Sequence, residues 1–132
     1  MILLDTHIWL GWQLGHGSLS PKELSSLGDA ASRGETSIAA ITLWEAQMLH
    51  SKGRLTVDRP FEMWVRQAAA LDVVTIAPLD VDVVVELDRL PKSFHGDPAD
   101  RIIVATARAH GCRLATHDRD IRRSRVATIW RP

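Results

Sequence analysis

The sequence contains a single cysteine, Cys112, among its 132 residues. One cysteine excludes an internal disulfide and a cluster of thiolate metal ligands, and it fits a reducing compartment. We therefore expect a cytoplasmic protein in which Cys112 is a small buried apolar residue.

Long apolar runs are also missing. Residues 2–4 are apolar, but Asp5 follows them at once, so the sequence shows neither the basic segment nor the apolar length of a signal peptide. The widest uncharged stretch, residues 6–21, is interrupted by glycines and polar residues, which is not typical of a membrane span. We expect no association with a membrane.

Neither sign of charge is in excess, since 16 Lys and Arg balance 16 Asp and Glu. No global positive field therefore attracts nucleic acid, and any RNA contact must come from local clusters. With 45% hydrophobic and 24% charged residues, the composition is that of a folded protein. The length fits one domain, residues 1–132, better than two.

Short apolar runs alternate with segments of helical periodicity along the chain. Strands are predicted at residues 2–4, 36–39, 73–76, 113–116 and 126–129. Helices are predicted at residues 6–14, 21–33, 41–52, 60–71, 80–90 and 98–110, with a helical turn at 118–123. Such alternation is typical of an α/β fold with a mostly parallel sheet.

Four carboxylates stand where surface charge explains them poorly. Asp5 directly follows the first strand, and Asp118 follows strand 113–116 after one residue. Both should project from carboxyl ends of strands, the edge at which open parallel sheets bind ligands. Glu45 and Asp100 share predicted inward helix faces with apolar residues at i+3 and i+4, where a lone buried carboxylate would be costly.

Each carboxylate also has a purely structural interpretation. Asp5 and Asp118 could cap the helices that follow them, and Asp100 could be a favourable charge in a first helical turn. Glu45 has no capping role within its helix, which is predicted to bury it beside Ile41, Trp44, Met48 and Leu49. Separate roles do not explain why all four carboxylates should meet at one edge.

Neighbouring carboxylates need a cation between them, because two unit charges about 4 Å apart repel by roughly 4 kcal/mol at an effective dielectric constant near 20. No lysine or arginine adjoins Asp5 or Glu45, and an all-oxygen ligand set suits Mg²⁺ or Mn²⁺. Such an ion activates water and stabilises charge on a phosphodiester, which indicates a nuclease. His7, His95 and His117 lie near the acids but lack the spacing of a zinc site.

Four motifs in order resemble those of the PIN-domain family and, within it, the VapC toxins. They are LLDTH at residues 3–7, TLWE at 42–45, DPADRIIVATA at 97–107 and LATHDRD at 114–120. Together they cover essentially the whole chain. The resemblance implies a three-layer α/β/α sandwich with a mostly parallel central sheet, and an endoribonuclease that depends on Mg²⁺ or Mn²⁺.

The resemblance also implies roles for individual residues. Thr116 would support the site through its hydroxyl, and the metal ligands would be Asp5, Glu45, Asp100 and Asp118. Asp97 and Asp120 compete for the third and fourth ligand positions. Asp100 is favoured because Asp97 precedes a proline at a helix cap, and Asp118 is favoured because it stands nearer the strand end.

Partners follow from the same resemblance. A VapC-like chain would cleave RNA and be silenced by a cognate antitoxin, and we also expect a homodimer. RNA phosphates could be held by a basic cluster beside the fourth motif, which consists of Arg119, Arg122, Arg123 and Arg125. Core packing is the default for Trp9, Trp12 and Trp44, but some of them could line a groove for an antitoxin helix.

Other classes of protein fit the sequence less well. A PIN-like module that only binds partners is the main alternative, although the complete set of four acids argues against it. A receiver-like phosphoacceptor would need an aspartate after strand 73–76 and a late lysine, but Ala77 and Pro78 follow that strand and no lysine follows Lys92. A phosphatase of the haloacid-dehalogenase type would need an aspartate where His7 stands.

Overall fold

A computed structural model describes residues 1–94 and 96–132, and within them the chain forms four strands and seven helices. The strands are β1 (Ile2–Leu4), β2 (Thr36–Ala39), β3 (Thr75–Ala77) and β4 (Arg113–Ala115). The helices are α1 (Thr6–Leu14), α2 (Pro21–Ser32), α3 (Ala40–Ser51), α4 (Phe61–Ala68), α5 (Val81–Arg89), α6 (Pro98–Ala109) and α7 (Arg119–Ser124).

All four strands are parallel and lie in the order β3-β2-β1-β4. In this register Leu3 of β1 lies between Ser37 of β2 and Leu114 of β4. The carboxyl ends of the strands therefore share one edge of the sheet, as the sequence predicts for the edge that carries Asp5.

Side chains of β1 alternate between two hydrophobic cores, one on each face of the sheet. Ile2 and Leu4 pack in a core with residues of α1, α2 and α4, whereas Leu3 packs in a second core with residues of α5, α6 and α7. A strand buried on both faces is expected for a parallel sheet between two helical layers. The three-layer α/β/α fold is confirmed.

Five helices begin directly after a residue whose side chain caps them. Asp5, Asp80, Asp97 and Asp118 are all N-caps whose side chains accept a backbone N–H. Ser20 begins α2 with a capping box in which Glu23 bonds back to the Ser20 N–H. Cys112 is buried, as predicted.

Three elements differ from the prediction. Helix α4 ends at Ala68, and β3 begins at Thr75 instead of residue 73, because residues 70–74 form a tight turn in which the N–H groups of Val73 and Val74 bond to the carbonyl of Ala70. Residues 126–129 do not form a strand. They run alongside β4 at Leu114, which bonds to the backbones of Thr128 and Trp130 and makes an isolated parallel bridge with Ile129.

The predicted inward face of α3 is wrong at Trp44, whereas Ile41 and Leu49 of that face do pack against the cores. Trp44 is 52% exposed, and the buried residues of α3 are Thr42 and Ala46. These small side chains let α3 approach α1 and α6, which both contact it. Because the buried face of α3 is centred on Thr42 and Ala46, Glu45 is half-buried beside α1 and does not lie deep in a core.

Trp9 is a core residue, so it is not available to contact a partner protein. It is buried against Trp64, and its indole N–H donates to the carbonyl of Ala68 at 3.0 Å. Trp12 packs half-buried against the same core. In the described residues, each helix is too short or too polar to cross a bilayer.

Candidate active site

A cavity of about 280 Å³ lies at the carboxyl edge of the sheet. Its walls come from α1 and α3, from the residues that follow β1 and β4, and from the beginning of α6. Five carboxylates line it, namely Asp5, Glu45, Asp97, Asp100 and Asp118. Among the residues that the structure describes, no lysine or arginine lines this cavity. We call it the carboxylate cavity.

Asp5 both caps a helix and faces the carboxylate cavity. One carboxylate oxygen accepts the Ile8 N–H at 2.9 Å, and the other accepts the hydroxyl of Thr116. Burial raises the pKa of the Asp5 carboxyl above its usual value, while these two hydrogen bonds act to lower it. The capping interpretation and the site interpretation are therefore compatible for this residue.

Thr116 connects two carboxylates of the cavity. Its buried hydroxyl donates to Asp5 and accepts the backbone N–H of Asp118 at 3.0 Å. Asp118 itself is exposed and caps α7 by accepting the Ile121 N–H at 2.9 Å. A single hydroxyl thus fixes the end of β1 relative to the turn after β4.

Glu45 is positioned by two buried threonines that the sequence analysis did not single out. The Thr6 hydroxyl donates to Glu45, and the hydroxyls of Thr6 and Thr42 lie 3.1 Å apart. Because a hydroxyl carries one proton, Thr42 must donate to Thr6 in this chain. The signal was present in part, since Thr42 stands one helical turn before Glu45, but the partnership with Thr6 depends on tertiary packing.

The Thr6 hydroxyl stabilises this arrangement, and Thr6→Val is expected to lower the free energy of unfolding by about 1–3 kcal/mol, because it leaves the buried hydroxyl of Thr42 without its acceptor and the Glu45 carboxylate without its donor. Urea unfolding followed by circular dichroism measures the loss. Thr6→Ser retains the hydroxyl and should cost less; equal losses for the two variants would show that the methyl group, not the hydrogen-bonded chain, matters.

Asp97 and Asp100 occupy the first turn of α6 and its cap. Asp97 accepts the Asp100 N–H at 2.8 Å, and both side chains line the cavity. Burial, followed by the charges of Asp97, Asp118, Glu45 and Asp5, raises the pKa of Asp100 to about 6. The negative charges of these neighbours therefore disfavour the charged form of Asp100, in addition to its burial.

The third and fourth motifs each contain two acids that compete for one predicted ligand position, and the structure places the two pairs differently. Asp97 and Asp100 both line the cavity, so the structure does not separate these two candidates. Asp120 lies beside Ser93 and Phe94 at another surface, whereas Asp118 lines the cavity. His7 and His117 also line the cavity, and His95 lies outside the described residues.

The donor set fits a hard divalent cation. Every carboxylate of the cavity offers oxygen, and their mutual repulsion would be relieved by positive charge. Among residues 1–94 and 96–132, however, no three acidic, histidine or cysteine side chains already converge as a finished metal site. The carboxylates surround an open space.

A parallel sheet between two helical layers, with acids from four motifs around a cavity at its carboxyl edge, is the architecture of a PIN domain. The family model for the PIN domain matches residues 2–126, and the chain belongs to this family. Over 98% of both chains it is 37% identical to Ribonuclease VapC22 of Mycobacterium tuberculosis, which identifies it as a VapC-type member.

Solved structures share the fold at lower identity. FitAcB from Neisseria gonorrhoeae superposes with a TM-score of 0.70 and is 20% identical, with 99% of this chain and 97% of that chain covered. FitAB bound to the IR36 DNA fragment gives a TM-score of 0.67 at 23% identity, with 98% and 94% covered. These likenesses support the architecture described above.

Proposed function

We propose that this chain is the toxin of a toxin–antitoxin pair and that it hydrolyses RNA phosphodiester bonds with the help of Mg²⁺ or Mn²⁺. The observation that carries the proposal is the cavity lined by five carboxylates and, among the described residues, by no lysine or arginine. A relative that is 37% identical over nearly its whole length is named a ribonuclease. A PIN-like module that only binds partners would not need such a costly concentration of negative charge.

The proposed ligands are Asp5, Glu45, Asp100 and Asp118, with Asp97 as an additional oxygen donor. When bound, a divalent ion supplies activated water and offsets the negative charge of the phosphodiester. Thr116 holds Asp5 in place, and Thr6 holds Glu45, so both carboxylates are oriented before any ion arrives. Thr116 is thus a positioning residue in this proposal.

The protein partners follow from the same assignment. We propose a cognate antitoxin, for which Trp44 remains available because it is exposed on α3 one residue before Glu45. Trp9 does not take part, since it is buried in the core. The homodimer stays a prediction.

Cleavage assays on a structured RNA test the proposal with a matched pair of acids from one motif. Wild type should cleave with Mg²⁺ or Mn²⁺ and lose activity in EDTA. Asp118→Asn should lower the rate by about 10- to 100-fold, the loss typical when a group that tunes or holds a metal is removed. Asp120→Asn should cleave like wild type, because Asp120 lies beside Phe94 and away from the cavity.

Two results would contradict different parts of the proposal. Wild type that leaves RNA intact with either metal would overturn the assigned function. Equal rates for Asp118→Asn and Asp120→Asn, in an otherwise active enzyme, would overturn the assignment of Asp118 alone.

A further inference from the structure

A second concave surface adjoins the carboxylate cavity and carries the opposite charge. It encloses about 550 Å³ and is lined by Arg119, Arg122 and Arg131, with Trp130 and His117 among its other walls. We call it the arginine groove. Two of its arginines come from α7 and the third from the C-terminal segment, so the groove forms only when these segments pack together.

The guanidinium groups of this groove are free of carboxylate partners. In the described part of the chain, no acidic side chain lies within ion-pair distance of Arg119, Arg122 or Arg131, whereas Arg33, Arg59, Arg66, Arg89 and Arg108 all form ion pairs. Arg122 uses its Nε–H to bond the carbonyl of Thr116 at 2.8 Å, which fixes its position next to the cavity. Its remaining N–H groups are available to a ligand.

The acidic side chain of Glu23 also lines the arginine groove, and it is already engaged. Glu23 accepts the Ser20 N–H at 2.9 Å and lies 2.7 Å from Nε2 of His117. Nδ1 of His117 lies 3.0 Å from the hydroxyl of Ser18. Both ring nitrogens of His117 are therefore hydrogen-bonded, which holds the imidazole in place. The ring lines both the arginine groove and the carboxylate cavity.

The basic cluster identified in the sequence is divided by the fold. Arg119 and Arg122 face the arginine groove, but Arg123 lies beside Phe94 and Asp120, and Arg125 lies beside Cys112 and Val126. Only part of the cluster therefore adjoins the cavity. Arg123, on the same helix as Arg119 but on another surface, is a natural control.

We propose that the arginine groove binds phosphates of the RNA substrate next to the bond that is cut, an inference that rests on the proposed ribonuclease function. The carboxylate cavity repels phosphate, and the adjacent groove attracts it, so a strand crossing His117 is held in one register.

Kinetics with the full chain test this assignment. With Mg²⁺ and a single-stranded oligoribonucleotide, Arg119→Ala combined with Arg131→Ala should raise KM about tenfold and leave kcat nearly unchanged, because the lost contacts bind substrate and transition state alike. The dependence of log(kcat/KM) on log[salt] should become shallower by about 0.7 for each phosphate contact removed. Arg123→Ala should keep the KM and the salt slope of wild type.

The possible results distinguish a failure of the groove assignment from a failure of the proposed ribonuclease function. An active wild type, with the double variant matching Arg123→Ala in KM and salt slope, would overturn the groove and leave the ribonuclease in place. Polyglutamate serves as a probe for an acidic protein segment. If the double variant loses binding to polyglutamate but not to RNA, the proposal is wrong, and the groove binds an acidic protein segment instead.

Discussion

Asp5→Asn is expected to reduce the rate of RNA cleavage by about 1,000-fold, which corresponds to roughly 4 kcal/mol of lost transition-state stabilisation. The reason is that asparagine keeps the size of the side chain but removes the negative charge that would hold a divalent cation at the end of β1. The carbonyl oxygen of asparagine can still accept the Ile8 N–H, so α1 keeps its cap. Single-turnover cleavage at saturating Mg²⁺ measures the effect.

The matched control for Asp5→Asn is Asp80→Asn. Asp80 caps α5 as Asp5 caps α1, by accepting the Val83 N–H at 3.0 Å, but it does not line the carboxylate cavity. Both substitutions should leave thermal unfolding close to that of wild type. If Asp5→Asn cleaves RNA as fast as Asp80→Asn, Asp5 is a helix cap and nothing more.

Features that depend on neighbouring residues in the chain could be predicted from the sequence. The caps at Asp80, Asp97 and Asp118 are recognisable because the capping side chain and the N–H that it binds are three residues apart. The first strand and the position of Asp5 at its end follow from three apolar residues before an acid. The carboxyl edge of the sheet could then be named as the site.

Features that depend on how helices approach one another could not be predicted from the sequence. Helical periodicity places Trp44 on the buried face of α3, whereas the structure buries Thr42 and Ala46. Periodicity cannot show that these smaller side chains allow closer packing. The hydrogen-bonded chain from Thr42 through Thr6 to Glu45 joins residues 36 and 39 positions apart. The division of the arginine cluster between surfaces likewise appears only after α7 has packed.

The raised pKa of Asp100 implies that the carboxylate cavity makes the metal-free protein less stable than it could be. The folded-state pKa is about 6, against an ordinary value of 3.8, so between these values the folded chain binds more protons than the unfolded chain. Stability from this group therefore falls as pH rises from about 4 to about 6 and stays reduced above that window. A functional site that costs stability is a common compromise.

Asp100→Asn should remove this cost, and it should also abolish most of the cleavage activity. We expect the metal-free variant to be more stable than wild type at pH 7.5 by about 1–2 kcal/mol, a value reduced from the full pKa shift because Asp100 is half-exposed and solvent screens its charge. This corresponds to a rise in Tm of about 3–6 °C for a chain of this length. Thermal unfolding in EDTA should show the gain shrinking toward zero as pH falls to about 4.

Divalent cations should reverse the order of stability. Mg²⁺ or Mn²⁺ that binds only the folded chain raises its Tm by mass action, and Asp100→Asn should lose most of that rise. Asp82→Asn provides the comparison, because Asp82 is also a carboxylate in a first helical turn but lies on the exposed side of α5. A favourable interaction with the helix dipole would make both asparagine variants slightly less stable in EDTA. If Asp100→Asn behaves in that way, Asp100 is an ordinary first-turn charge, and the repulsion that calls for a cation in this cavity is absent.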